Sequence, residues 1–178
     1  MAKNLFLLHL GPESVEVDKM RSSLGLGGIA LLDADGDLFT HADIEIRRAH
    51  KQAGLKRKHV EGSWAEVCRA AFRGRSHCFV SMPGFFGATA EQAALALDGL
   101  HGMKVVLVIT SGFETPPPAT WTSLVKPDRT HVLPSHLTAD QLGAQVARIA
   151  LMEEEARLDK RLGKLTKRRK QVTKRLAA

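Results

Sequence analysis

Acidic side chains occupy the turn in which this chain would be expected to bind a phosphate group. Apolar residues 4–10 predict a buried first strand, and Gly11 and Pro12 follow where an α/β protein turns into its first helix. A phosphate-binding turn needs small residues, inward-pointing backbone amides and a cation. The candidate loop contains neither lysine nor arginine and consists of Gly11, Pro12, Glu13, Ser14, Val15, Glu16 and Val17. Because like charges at contact distance repel, its carboxylates predict weak binding of a polyphosphate.

The same carboxylates have a structural interpretation. The pattern predicts a helix near residues 13–24, with Glu13, Glu16 and Asp18 in its first turn. Carboxylates at a helix N-terminus gain about 0.3–1 kcal/mol from the helix dipole and can cap free amides. We therefore expect these acids to stabilise the start of the helix.

His9 is the titratable residue nearest to this loop. Its position within the first strand favours a hydrogen-bonded core residue, although an active enzyme could use it there as a general base. The eight histidines show no HxxxH or HExxH spacing, and no GxSxG nucleophile motif occurs. No metal site is predicted.

The net positive charge of the chain comes from its C-terminus. The chain has 26 Lys/Arg and 19 Asp/Glu, and residues 157–178, here called the basic tail, contain ten of the bases and one acid. The tail is therefore +9 and residues 1–156 are −2. The ten bases are Arg157, Lys160, Arg161, Lys164, Lys167, Arg168, Arg169, Lys170, Lys174 and Arg175.

A single helix is predicted from Thr138 to the end of the chain. Leu142, Val146 and Ile149 share one apolar spacing, typical of packing against the domain. A second spacing predicts a coiled-coil seam that leaves the body near Leu151; it comprises Leu151, Leu158, Leu162, Leu165, Val172 and Leu176. The tail could pair with a protein partner or with itself, or bind nucleic acid. A membrane surface is less favoured, because the seam has no aromatic anchor.

Strands and helices alternate along the sequence and would position the candidate loop, His9 and the tail. This alternation indicates a three-layer α/β fold with a mostly parallel sheet. Strands are predicted near residues 4–10, 28–32, 76–82, 103–110 and 130–133, and helices near 13–24, 40–53, 62–73, 89–100 and 117–126. The expected domain covers residues 1–150, and residues 151–178 form the C-terminal helix. Without a secretory signal or long apolar run, we expect a cytoplasmic protein in which Cys68 and Cys78 are reduced and buried.

The order of several sequence blocks resembles the sulfotransferase-like P-loop proteins common in actinobacteria. That family has a first strand of the form LHxGxPKTGTT, then AGL-R-R-x-x-VEG-x-W, and later P-x-x-W-x-x-x-V-K. The similarity covers residues 4–156, and the matching blocks are LHLGP (8–12), RAH (48–50), AGLKRKHVEGSW (53–64), ATAEQA (88–93), VVLVIT (105–110) and PATWTSLVK (118–126).

The departures from the family fall on its donor-binding residues. The Lys-Thr-Gly-Thr-Thr loop, which would hold the phosphosulfate end of 3′-phosphoadenosine-5′-phosphosulfate, is matched by residues 13–17, where only Ser14 retains a hydroxyl. The Arg-Asp pair that would help to hold the 3′-phosphate is replaced around residues 111–114. The candidate replacement cations are Lys126 and an internal basic cluster, Arg47, Arg48, His50, Lys51, Lys56, Arg57, Lys58 and His59.

The resemblance and its departures together predict a catalytically degenerate member, a pseudoenzyme that needs no cofactor. It would act as a binding or assembly module whose tail contacts a partner or a polyanion. One alternative is an active sulfotransferase that uses the phosphoadenosine donor in an altered site. A second alternative is a protein that binds nucleic acid through the tail.

Overall fold

The computed structural model describes residues 4–12, 15–32, 37–74 and 76–176. One five-stranded sheet, parallel throughout, forms the centre of the fold in the order β2-β3-β1-β4-β5. The predicted α/β class is confirmed, and each strand lies within about two residues of its predicted position. The strands are β1 (Leu5–Leu10), β2 (Ile29–Leu31), β3 (His77–Ser81), β4 (Lys104–Ser111) and β5 (Thr130–Pro134).

The helices occupy the connections and the C-terminus. They are α1 (Arg21–Leu26), α2 (Leu38–Arg47), α3 (Arg57–Val60), α4 (Ser63–Arg73), α5 (Ala90–Gly99), α6 (Ala119–Thr122) and α7 (Ala139–Leu176). Short 3-10 turns cover Val17–Met20, Pro83–Gly87 and Pro127–Arg129. A capping box begins α5, because the Thr89 hydroxyl accepts from the Gln92 amide while the Gln92 side chain accepts from the Thr89 amide.

Helices cover both faces of the sheet. Side chains of α1 and α7 form one apolar core with Leu5 and Leu7, and α2, α4, α5 and α6 form the other with Phe6, Leu8 and Leu10. After β1 the chain crosses to the β2 edge of the sheet through α1, and every later strand-to-strand connection runs in the opposite direction, toward β5. Because each crossover is right-handed, connections that run in opposite directions must place their helices on opposite faces of the sheet.

Three predicted helices have different bounds. Among the described residues of the first predicted helix, Val15 and Glu16 are not helical and a 3-10 turn begins at Val17, with Val15 and Val17 packed against the α1–α7 core. The helix predicted to reach residue 53 ends at Arg47, where Arg48 adopts a left-handed conformation (φ 56°) and the Ala49 amide donates to the Ile44 carbonyl at 2.9 Å. The helix predicted over 117–126 is a single turn after Pro118.

Helix α7 has two parts with different surroundings. Its 38 residues extend about 57 Å. Leu142, Val146 and Ile149 are buried, whereas Leu151 is 54% exposed, so the predicted change of apolar phase is confirmed. Residues 155–176 are exposed without exception.

Glycines allow α7 to approach α1 closely. A Cβ atom at Gly27 would lie 2.8 Å from the Cα atom of Ala147, and one at Gly143 would lie 3.1 Å from the Cβ atom of Ser23. The two contacts lie one helical turn apart on α7, so they fix its position along α1. Gly143, which opposes helix formation in the sequence, is therefore required by packing.

Replacing Gly27 by alanine should destabilise the protein by about 1–3 kcal/mol, since the added methyl group meets the α7 backbone. Urea unfolding followed by circular dichroism measures the change. Gly25→Ala is the matched control, because Gly25 lies in the last turn of α1, two residues before Gly27, with nothing within 4 Å of its Cβ position. This control should gain up to about 1 kcal/mol from helix propensity. Equal stabilities for the two variants would contradict the close contact.

Candidate functional site

A cleft of about 920 Å³ lies at the carboxyl ends of β1, β4 and β5. Ligands of open parallel α/β sheets bind at this edge, beside strands whose connections leave to opposite faces. The wall opposite the β1 loop is the start of α7. The lining residues of this carboxyl-end cleft are Pro12, Val15, Glu16, Lys19, Thr110, Gly112, Phe113, Glu114, Thr115, Ser135, Leu137, Thr138, Ala139, Asp140 and Leu142.

The charges that line the cleft are mainly negative. Glu16, Glu114 and Asp140 contribute carboxylates from three separate segments. Among the described lining residues, Lys19 is the single lysine or arginine, and its Nζ lies 2.7 Å from Oε2 of Glu16. The lysine therefore offsets an acid of the loop itself, so a bound anion would have to compete with that carboxylate.

The residues of the candidate loop have different environments. Gly11 is buried, whereas Pro12, Val15 and Glu16 line the cleft. The side chains of Val15 and Val17 are half-buried against the α1–α7 core, and Val17 does not line the cleft. Glu13 and Ser14 lie outside the described residues.

The described acids of the loop do not cap a helix. Glu16 precedes the 3-10 turn without a side-chain hydrogen bond to it, and Glu16 and Asp18 instead form exposed ion pairs with Lys19 and Arg21. The expected capping is therefore wrong for Glu16, whereas Asp18 does lie in the first turn of the 3-10 segment, as predicted. Two amides of this stretch are also used internally, since Val17 donates to the Val15 carbonyl at 2.9 Å and Lys19 to the Glu16 carbonyl at 3.0 Å.

His9 is a buried, hydrogen-bonded part of the sheet. Its Nδ1 lies 2.9 Å from the Ser81 hydroxyl and its Nε2 lies 3.1 Å from the Thr110 hydroxyl, so the imidazole bridges β3 and β4. Its ring stacks on Phe79 with a centroid distance of 6.0 Å. Burial lowers the pKa of His9 to about 4, and the residue does not line the cleft.

Gly11 completes this arrangement. A Cβ atom at this position would collide with the Thr110 hydroxyl and lie 3.3 Å from the His9 ring. The first glycine of the loop is thus explained by close packing on the His9–Thr110 pair. Its presence alone does not indicate phosphate binding.

The blocks 53–64 and 118–126 anchor helices. The Glu45 carboxylate accepts the Gly62 and Trp64 amides, each at 2.7 Å, and so caps the start of α4 from another helix. Trp121 is fully buried, donates from Nε1 to the Phe85 carbonyl at 2.7 Å, and stacks on the Phe85 ring. These tryptophans serve the core on the face opposite to α7.

The candidate replacement cations do not line the cleft. Lys126 follows α6, and the basic cluster runs from the end of α2 through the connection into α3. Within that cluster, Arg47 is paired with Asp43 on α2 and Arg57 is paired with Glu61 at 3.1 Å. The structure does not bring these residues to the carboxyl-end cleft, so their role as replacement donor-binding cations stays a prediction.

The basic tail is separate from the cleft. All of its described residues are exposed, and the pairing of Arg157 with Glu154 is the last ion pair along the described part of α7. The fold therefore does not bring the bases of the tail to the carboxyl-end cleft. They form a second, independent candidate surface.

Two cleft residues, Lys19 and Asp140, were missed by sequence reasoning. Asp140 lies in the first turn of α7, which a capping box begins: the Gln141 amide donates to the Thr138 hydroxyl at 3.3 Å, and the Thr138 amide donates to Oε1 of Gln141 at 3.0 Å. The predicted topology could have placed Asp140 at the cleft, since a helix that follows a parallel strand starts at the carboxyl edge of the sheet.

In the described part of the chain, no helix is both long and apolar enough to cross a bilayer. The same residues contain no cluster of three or more His, Cys, Asp or Glu side chains that could hold a metal ion. Comparison with family models, curated proteins and solved structures gives no match to this chain.

Lowering the pH from 6.5 to about 4 should destabilise the fold through His9. The unfolded chain binds a proton at this residue near pH 6.5, whereas the folded protein excludes it until about pH 4. Stability therefore falls with pH in this window, by up to about 3 kcal/mol from His9. A His9→Gln variant should show a correspondingly shallower dependence of its unfolding free energy on pH.

Burial also lowers the pKa of His77 and of His131, and both residues remain in the variant, so the difference between the two proteins isolates His9. If the variant does not fold, an NMR titration of the His9 ring in the unaltered chain decides the question. Titration of that ring near pH 6.5 would contradict the buried, neutral assignment.

Proposed function

We propose that this chain is a catalytically degenerate, sulfotransferase-like protein that acts as a binding or assembly module. Its α/β domain does not retain the phosphoadenosine donor, and its basic C-terminal helix contacts a partner or a polyanion. The observation that carries the first part is the charge of the carboxyl-end cleft. Three carboxylates line it, and its lysine is paired with one of them.

Electrostatics make this cleft a poor site for the donor. The phosphosulfate and the 3′-phosphate are both anions, and each would need cations or free amides. Glu16 and Glu114 occupy the segments in which the family resemblance would place the two groups of phosphate-binding residues. Repulsion from these acids adds to the loss of the basic residues.

The properties of His9 weigh against the active alternative. A general base works best when its pKa lies near the operating pH and it reaches the reacting proton. His9 has a pKa of about 4, and its two ring nitrogens lie against Ser81 and Thr110. The active sulfotransferase is therefore kept as an outcome of the test.

The second part of the proposal rests on the tail. Ten bases and one acid lie on a helix segment whose described residues are exposed. The described residues of this segment add exposed basic surface to the protein but pack no side chain into the hydrophobic core. Binding by this segment gives the chain a function that does not need the cleft.

Isothermal calorimetry with adenosine 3′,5′-bisphosphate and with the sulfuryl donor tests the first part. We expect a Kd weaker than about 1 mM for both ligands. Glu16→Gln removes one carboxylate and frees Lys19, so it should strengthen binding at least about tenfold. Glu66→Gln is the matched control, because it removes the same charge from an exposed position outside the cleft and should change nothing.

Micromolar, saturable binding by the unaltered chain would refute the degenerate assignment and favour the active enzyme. Equal effects of the two substitutions would show that net charge, and not the cleft, governs the interaction. Neither result depends on the tail.

A further inference from the structure

The basic tail and the end of α7 before it present an apolar seam to solvent. Its six members are 49–84% exposed: Leu151, Leu158, Leu162, Leu165, Val172 and Leu176. In heptad notation Leu151, Leu158, Leu165 and Val172 take the d positions. The a positions are Glu155, Leu162, Arg169 and Leu176. Exposed leucines at this spacing on one helix form the surface that a second helix buries.

From residue 161 onward the flanking positions of the seam are charged on one side only. The g positions there hold Arg161, Arg168 and Arg175, while the following e positions hold Thr166 and Thr173; the acids at flanking positions, Glu154 (g) and Asp159 (e), lie nearer the domain. Both threonine hydroxyls donate to their own helix, to the carbonyls of Leu162 at 3.0 Å and of Arg169 at 3.1 Å. In a parallel pair of two copies, Arg161 and Arg168 would therefore face threonines and find no matching acids.

Pairing between two copies of this chain is disfavoured in both orientations. A parallel pair would place Arg169 beside Arg169 and Glu155 beside Glu155, because a positions face each other. An antiparallel pair brings g positions together; the register that places Arg161 beside Arg168 of the second copy also places Glu154 beside Arg175, but the arginine contacts at its centre remain unfavourable. Either arrangement also joins two segments that each carry +9.

The tail also repels itself as an isolated helix. Arg157 and Arg161, and Lys160 and Lys164, are like-charged pairs at the i,i+4 spacing, each unfavourable by about 0.2–0.5 kcal/mol. An acidic neighbour would relieve this repulsion along the segment. The basic charge favours an acidic binding partner and the apolar seam favours a helical one, so both features favour an acidic helix.

We propose that the apolar seam binds an acidic helix of another protein in a two-stranded coiled coil. The partner presents leucine-type residues to the seam, carboxylates to the arginines at the g positions, and an acid to Arg169. This proposal builds on the proposed function, since it names the partner class of the tail.

A nucleic acid accounts for only part of these features. Phosphates need the positive charge but would leave the leucines in water, whereas a second helix would bury the leucine side chains and gain the hydrophobic free energy of removing them from water. An acidic helix satisfies both the seam and the charge. Nucleic acid and self-association are therefore the competing outcomes of the test.

The first experiment measures binding of the full chain to a designed 28-residue peptide with Leu at positions a and d, apart from one Glu placed to face Arg169, and with Glu at e and g. Fluorescence anisotropy should give a Kd of about 10 μM or lower, accompanied by a gain in helical circular dichroism. A scrambled peptide of the same composition keeps the charge but loses the seam, and it should bind at least tenfold more weakly. Equal binding of the two peptides would overturn the proposal.

The second experiment compares substitutions that remove the same charge from different faces. Arg161→Gln/Arg168→Gln acts at g positions beside the seam, and Lys160→Gln/Lys167→Gln acts at f positions opposite to it. The first double variant should weaken peptide binding at least fivefold and the second less than twofold. Leu162→Asn/Leu165→Asn should abolish peptide binding. Equal loss from the g and f variants would overturn the proposal.

Two competitors complete the test. A 20-base-pair duplex that bound more tightly than the heptad peptide at 150 mM salt would overturn the proposal in favour of nucleic acid. A stable dimer of the full chain in sedimentation at micromolar concentration would overturn it in favour of self-association. Neither result affects the calorimetric test of donor binding in the cleft. The proposal of an acidic helical partner can therefore fail while the proposal of a degenerate α/β domain stands, and the reverse.

Discussion

The close packing of α7 on α1 is the constraint on which the rest of the structure depends. Gly27 and Gly143 remove the side chains that would separate the two helices, so α7 can bury Leu142, Val146 and Ile149 against the sheet. One helix thereby has three roles along its length. Its first turn forms a wall of the carboxyl-end cleft, its middle completes one core, and its last part extends into solvent.

This geometry separates the two kinds of charge in the molecule. The cleft receives acids from the β1 loop, the β4 loop and the start of α7, while the bases of the tail lie beyond the opposite end of the packed segment. A sheet edge that commonly holds a ligand is thus left with a negative lining. The net positive charge lies on the basic tail, whose described residues are exposed and take no part in either core. Under the proposed function, this division replaces the donor chemistry of a sulfotransferase-like domain with partner binding.

The sequence predicted the sheet better than it predicted the site. Runs such as those in β1 and β4 are apolar throughout, as strands buried on both faces must be, so their positions follow from local pattern. The first helix was placed too early, because nothing local indicates that Val15 and Val17 turn toward a core completed by a distant helix. Asp140 and Lys19 meet at the cleft only through the packing of α7, which no spacing in the chain reveals. His9 was predicted correctly as a hydrogen-bonded core residue, but its partners Ser81 and Thr110 depend on strand register.

The central claim is that the fold is complete before the basic tail begins. The free energy of unfolding of the full chain, compared with that of a chain ending at residue 156, tests it most directly. The account predicts a difference of less than about 1 kcal/mol, because the Arg157–Glu154 pair is the one ion pair that the cut removes within the described residues and surface pairs contribute little. A loss of several kcal/mol would contradict the claim, since it would mean that the tail stabilises the domain and is not available to a partner.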